Sequence, residues 1–380
     1  MISKPTFIAI GALAGLAAAP AAFGFAEIAR GTLTADARFS GEYDSNIFAN
    51  SSETGDYSFI FMPSLSYTRN VGRISTAIQV GIRTISFTDT SGQNSIDPSV
   101  NAVFTYDGAE KGSVSQSLSY QRSTDANDTL NTRAESNEYR AATRVDYYYS
   151  EKTGLRFNAG YRLSDYVSAG YNDVSSYNVG GGVLYRYSPK LIASATYDFS
   201  PEKATSLGVA PTSDPSSKNH RIQLGLEGEL APKVTGNVGV GVVHREFDIG
   251  GSDDAFLLTT AVSWAAAEKT AFTLSASNNF DTTPGAESAK NFNVNLAVRQ
   301  TLTEKIAVGA NIGYIHSLLQ QEPGPVERTD NGYLAGLNSS YRFTDNVSLS
   351  ATLSYRYNDS TLALAQYERF VANLSLNLSF

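Results

Sequence analysis

The 380-residue chain has no cysteine, which excludes disulfides, thiolate metal sites, thiol nucleophiles and a lipid anchor on cysteine. It has no run of the 18 or more apolar residues that a membrane-spanning helix needs. Basic residues are outnumbered, 29 against 37 acidic, for a net charge of -8. Nucleic acid is therefore not an expected partner, because neutralising phosphates takes a basic face. Only 17% of residues are charged and 42% are hydrophobic, so the chain is not of disordered composition either. What is abundant is a mixture: 31 Gly, 22 Tyr and 19 Phe alongside many Ser, Thr and Asn. That mixture favours strands with small or polar residues on one face, and an all-β class.

The N-terminus reads as a targeting segment. Lys4 precedes an apolar stretch from Phe7 to Ala19, with small residues at Ala22, Gly24 and Ala26. The expected division is a signal peptide over 1–26 and a barrel over 27–380. A mature chain cut there begins almost at once with strand pattern and leaves no room for a plug or periplasmic domain.

From Leu33 onward the chain alternates. Leu33, Ala35, Ala37, Phe39, Gly41 and Tyr43 interleave with Thr34, Asp36, Arg38, Ser40 and Glu42, the signature of a strand with one wet face. The chain ends the same way, with Phe370, Ala372, Leu374, Leu376, Leu378 and Phe380 on one side. Similar runs at 139–149, 155–163 and 349–357 have the 9 to 11 residues of a transmembrane strand, and a shorter one lies at 222–226.

Tight turns are read at Asn70-Val71-Gly72, Glu110-Lys111, Glu151-Lys152, Pro189-Lys190, Pro232-Lys233, Glu268-Lys269, Glu304-Lys305 and Thr344-Asp345-Asn346. They recur roughly every 36 to 43 residues, the length of two long strands and their connections. The count predicts a transmembrane antiparallel up-and-down β-barrel of about 18 strands, or 16 if weak segments such as Ser99 to Tyr106 are not strands. The longer connections, at Ser45 to Asp56, Asp125 to Asn137, Pro201 to Asn219 and Gln321 to Thr329, belong to the opposite rim. Pro201 to Asn219 is the candidate for a partial constriction. A β-propeller shares the repeat length but would need four short strands per repeat.

About eighteen strands enclose more space than side chains can fill, so a hydrated lumen follows. Parity points Asp36, Arg38, Glu42, Arg140, Arg144, Arg156, Arg162, Arg186, Asp198, Glu227, Glu229, Arg299, Arg342 and Arg356 inward. The arginines suggest a basic wall within a mixed field, and charged rings set selectivity in pores. The plainer reading is that they pair with nearby carboxylates. Acidic loop residues such as Glu53, Asp56, Asp125 and Asp128 could hold divalent cations that bridge lipopolysaccharide phosphates, or simply be solvated. His220, His244 and His316 fall on the outward parity without a serine two positions away on the same face, so no hydrolase arrangement is read and no enzyme activity is expected. No cofactor or metal site is expected. The terminal Phe380 is read as the signal presented to the barrel-assembly machinery.

At the end of the first strand, Glu42-Tyr43-Asp44-Ser45-Asn46-Ile47-Phe48 resembles the signature near the mature N-terminus of the putative outer-membrane β-barrel porin 2 family. The resemblance implies that Tyr43, Asp44, Asn46, Ile47 and Phe48 form a turn where the strand leaves the membrane. It also implies a setting in the outer membrane of a Gram-negative bacterium, with lipid, lipopolysaccharide and polysaccharide export components as partners. The expected function is passive, porin-like passage of a polar solute or exopolysaccharide. The alternative is a structural or polysaccharide-binding barrel with a closed lumen.

Overall fold

A strand whose alternate residues differ in polarity has to separate two media, and in the computed structural model of the chain every long element does so. The structure describes residues 26–206, 216–248, 251–285, 287–320 and 326–380. The expected leader thus lies outside the described residues, apart from Ala26.

The wall is built from β1 (Gly31–Asp44), β2 (Asp56–Val71), β3 (Ile74–Phe87), β4 (Ser95–Asp107), β5 (Gly112–Ser123) and β6 (Ser136–Tyr148). It continues through β7 (Thr153–Tyr166), β8 (Asn172–Ser188), β9 (Leu191–Ser206), β10 (Ser216–Ala231), β11 (Val234–Phe247) and β12 (Ser252–Ala267). It finishes with β13 (Thr270–Thr282), β14 (Ser288–Thr301), β15 (Ile306–Gln320), β16 (Val326–Arg342), β17 (Val347–Ser360) and β18 (Tyr367–Ser379). Each strand pairs antiparallel with its sequence neighbours, and β18 returns to β1, closing an 18-stranded ring. The segment Ser99 to Tyr106 is paired on both sides within β4, which settles eighteen against sixteen. A three-residue strand, Ala26–Ile28, adds to β1 at Gly31 to Leu33, in line beyond Phe380.

The seam has its own chemistry. β1 and β18 pair from Asp36 opposite Ser379 to Asp44 opposite Val371. On the inward face, Arg38 Nε donates to Asn377 at 2.7 Å, Ser40 and Ser375 hydroxyls meet at 2.8 Å, and Asn373 donates to Glu42 at 2.9 Å. Arg369 then donates to Asp44 at 2.7 Å, so alternate rungs carry a polar contact. The Phe380 backbone N–H and C=O both bond Ala35, each at 2.9 Å.

Outward faces are largely apolar, with polar residues such as His220 and His244 toward the strand ends. Phe59, Ile312 and Leu224 have 65, 63 and 60% of their surface uncovered by protein. At about 25 cal/mol per Å² a belt of such side chains is unfavourable in water and stable against hydrocarbon. Aromatic pairs mark two levels of this belt, as expected where amphipathic rings meet both interfaces. Near the short turns Trp264 stacks on Phe272 at 5.5 Å and Tyr341 meets Phe343 edge-on at 4.8 Å. Toward the other rim Tyr43 pairs with Tyr57, Tyr161 with Tyr177, and Tyr314 with Tyr333, at 4.8, 4.8 and 5.4 Å. Short turns gather at the rim that holds Phe380, and Gly72 takes a φ of 62° in the tightest position of the first of them. The longer connections gather at the opposite rim.

Candidate functional site

Inside the ring the wall is made of hydroxyls, amides and charges. Asp36, Arg38 and Arg342 line a cavity of about 610 Å³ near the short-turn rim, together with Gln79, Ser99 and Asn377. Asp198 lies between two further recesses of about 550 and 820 Å³ on the far side, lined by Ser117, Asn158, Asn178, Gln223 and Thr259 among others. Arg299 shares the inward parity on β14.

The basic wall expected on β6 to β8 is neutralised residue by residue. Asp146 accepts hydrogen bonds from Arg156 at 2.8 and 2.9 Å and from Arg144, the shortest at 3.0 Å. Glu227 reaches the same arginines from β10, at 3.0 and 3.3 Å. Gly180 and Gly182 on β8 and small residues on β9 lie beneath this bridge, so the guanidinium groups can pass over the intervening strands. Arg140 and Arg162 share Glu138, at 2.6 and 2.9 Å. Arg186 is not a free lumen charge: it donates to the carbonyls of Glu110 and Glu151 and lies 3.4 Å over the Tyr148 ring, tying three hairpins at the short-turn rim. Glu229 pairs with Lys190 at 2.6 Å. Four inward arginines outside the sequence-derived set, Arg83, Arg221, Arg245 and Arg328, carry the same parity signal and are also engaged, with Asp125, Asn279, Glu202 and Asp330.

The main departure from expectation is at the longer-loop rim. Pro201 to Asn219 does not form a long loop: β9 runs to Ser206, β10 starts at Ser216, and Pro201 pairs with Lys218. Residues 207–215 lie outside the described residues. Three other segments fold into the mouth instead. The connection after β1 turns inward at Asn46, whose N–H bonds the Asp44 carboxylate at 2.9 Å. Ile47 then packs, fully buried, on inward-facing Ile85 and Phe87, with Phe48 and Ile60 at the edge. Tyr43, by contrast, faces outward against Tyr57.

The connection between β5 and β6 crosses the lumen. Asp125 is held near its root by a two-pronged contact with Arg83. Further along, Arg328 on β16 donates to the carbonyls of Thr129 and Asp128, at 2.7 and 3.1 Å. Burial alone would raise the Asp125 carboxyl, but the Arg83 hydrogen bonds and charge, helped by Arg133 and Arg369, hold it below the usual carboxylate range. From the other side the β13–β14 hairpin leans across: Thr282 donates to Glu202 at 2.7 Å, and Asn172 donates to the Pro284 carbonyl at 2.9 Å. Glu287 at its tip is pushed upward by burial and by Glu327 and Asp330, against the pull of Arg328. Among the described residues, three short segments thus reach into the mouth.

The histidines face outward. His220 bonds Tyr197 at 2.8 Å, His244 bonds Asp254 at 2.7 Å and His316 bonds Asn331 at 2.9 Å. Several loop carboxylates thought available for cations are otherwise engaged: Asp56 accepts from Thr90 at 2.6 Å, and Asp125 and Asp128 hold arginines. Among the described residues no group of three potential metal ligands is assembled.

Among solved structures, OpdO of Pseudomonas aeruginosa aligns with a TM-score of 0.50 and 11% identity, covering 93% of this chain and 98% of its own. The FrpB iron transporter of Neisseria meningitidis (F5-1 variant) also gives 0.50 at 11% identity, covering 87% of this chain. OpdK of P. aeruginosa gives 0.49 at 10% identity, covering 94% of this chain and 100% of its own. This chain spans only 62 and 64% of the lengths of two FrpB variants. No curated protein matches it in sequence. At these identities the likeness concerns the fold alone, a closed antiparallel β-barrel. The family suggested by the turn after the first strand is recovered from the other end of the molecule, for residues 209–380 match the model of Putative beta-barrel porin 2.

Proposed function

We propose that the chain is a passive outer-membrane channel for polar solutes, guided by a wall of paired charges, amides and hydroxyls. The observation that carries this is the alternation along the strands between a largely apolar outer face and a largely polar inner one, around a ring too wide for side chains to fill. Cavities lined by Ser, Thr, Asn and Gln suit hydroxyl-rich solutes, and an oligosaccharide or exopolysaccharide is the class we favour. The assembly route through Phe380 and the setting in a Gram-negative outer membrane belong to the same reading, as does no requirement for a cofactor. Purified protein in liposomes should admit neutral sugars of graded size in a swelling assay, with a sharp size limit. A second reading has specific support: the covered mouth suits a barrel that binds surface polysaccharide with its lumen shut. Absence of swelling and of planar-bilayer current, with the barrel verified as folded, would replace the first reading with the second.

A further inference from the structure

The Asp128 carboxylate sits in a recess on the wall opposite its own root. Arg356 on β17 forms an ion pair with it, and Tyr367 on β18 donates a hydrogen bond at 2.7 Å. The neighbouring cations are already neutralised, Arg328 by Asp330 at 2.6 Å and Arg369 by Asp44 at 2.7 Å. Asp128 is the carboxylate paired with Arg356, and the Arg356 Nε is buried without a partner among the described residues. If Asp128 leaves, one desolvated guanidinium and one phenol remain, pointing into the lumen. That is the donor set of a carboxylate site, because a guanidinium presents parallel N–H groups and the phenol adds a directed third.

We propose that Arg356 and Tyr367 form a binding subsite for a solute carboxylate, which the 124–135 segment fills with its own Asp128 and which an entering carboxylate takes over, releasing the segment from the mouth. The way this segment is held supports an exchangeable contact. Its far attachments are polar: Asp128 to Arg356 and Tyr367, two carbonyls to Arg328, and Asn131 to the Ala49 carbonyl at 3.0 Å. Polar contacts are replaced by water or by a competing ligand at small net cost. The 45–55 segment is anchored differently, through buried Ile47, and stays in place when the other leaves. The inference leans on the channel reading only for the route by which a solute reaches Arg356.

The test is amide hydrogen exchange over residues 126–133 in the detergent-folded protein, with sodium glucuronate, glucose, and sodium chloride at matched ionic strength. Glucuronate at about ten times its dissociation constant should speed exchange there about tenfold, with glucose and chloride inert. Asp128→Asn should show fast exchange without ligand and retain glucuronate binding by calorimetry, whereas Arg356→Gln should show fast exchange and no binding. Heat-modifiable migration establishes that each variant is folded. Equal acceleration by chloride, or slow exchange in folded Asp128→Asn, would overturn the subsite. Liposome swelling run in parallel keeps the two readings apart: no swelling in any variant rejects the channel while the exchange data still decide the subsite.

Discussion

Adjacent residues near the centre of β17 provide a sharp test of the wall. Leu353 faces outward, 44% uncovered by protein, opposite Leu337 and Ala372 in the neighbouring strands, and lies midway between the turn before Val347 and the end of the strand at Ser360. Thr352, one residue earlier, lines a lumen recess with Asn338 and Arg369. An arginine on the lipid face costs about 2 to 4 kcal/mol near the bilayer midplane. At 1.36 kcal/mol per decade, Leu353→Arg should lower the folded-to-unfolded ratio about 30-fold to nearly 1000-fold. Thr352→Arg enters a hydrated space and should change it by less than about threefold. Reversible urea titration of folding into phospholipid vesicles, read by gel migration and tryptophan fluorescence, measures both. Equal destabilisation by the two substitutions, or a neutral Leu353→Arg, would refute the assignment of faces.

Arg156→Gln removes a cation while Asp146 and Glu227 remain, so bilayer reversal potentials should shift toward cation selectivity; the loss of a buried pair should also cost about 3 kcal/mol in the same urea titration. Unchanged potentials in a conducting variant would mean that the bridge is structural only. Ile47→Ala should cost about 2 to 4 kcal/mol locally and raise hydrogen exchange over 45–55 while leaving the strands protected. For Asp125, whose carboxyl is lowered in the fold, the stabilisation is fully present above its ordinary value of 3.8 and is lost as pH falls through the lowered one. Exchange over 124–135 should therefore be flat from pH 5 to 8, after correction for intrinsic rates, and should rise on stronger acidification; loosening toward alkaline pH would contradict it.

The ring was legible because its signal is local. Alternation at Leu33 to Tyr43 and from Phe370 to Phe380, with punctuation at Glu151-Lys152 or Pro232-Lys233, needs no knowledge of distant neighbours. The mouth was not legible, because what holds it lies far apart in sequence. Asp128 and Arg356 are 228 positions apart and Asn172 and Pro284 are 112 apart, and no periodicity carries such pairings. Pro201 misled in the other direction. It punctuates the sequence, yet β9 continues through it to Ser206, because hairpin pairing extends past the membrane into water where a missing N–H costs little. Inward arginines were recognised by parity, but their carboxylates come from strands several places away, as Glu227 does for Arg144 and Asp281 for Arg162.

The ladder joining β1 to β18 bears on how the cylinder finds its final form. These two strands come from opposite ends of the polypeptide and meet last in sequence terms, so nothing in a connecting loop fixes their alignment. A slip of one residue would turn the oily faces into the channel. A slip of two keeps the faces but takes Arg38 away from Asn377 and Glu42 away from Asn373, whichever way the strand moves. The polar rungs thus act as a proofreading code for closure, written on the side of the wall where water rather than lipid allows it.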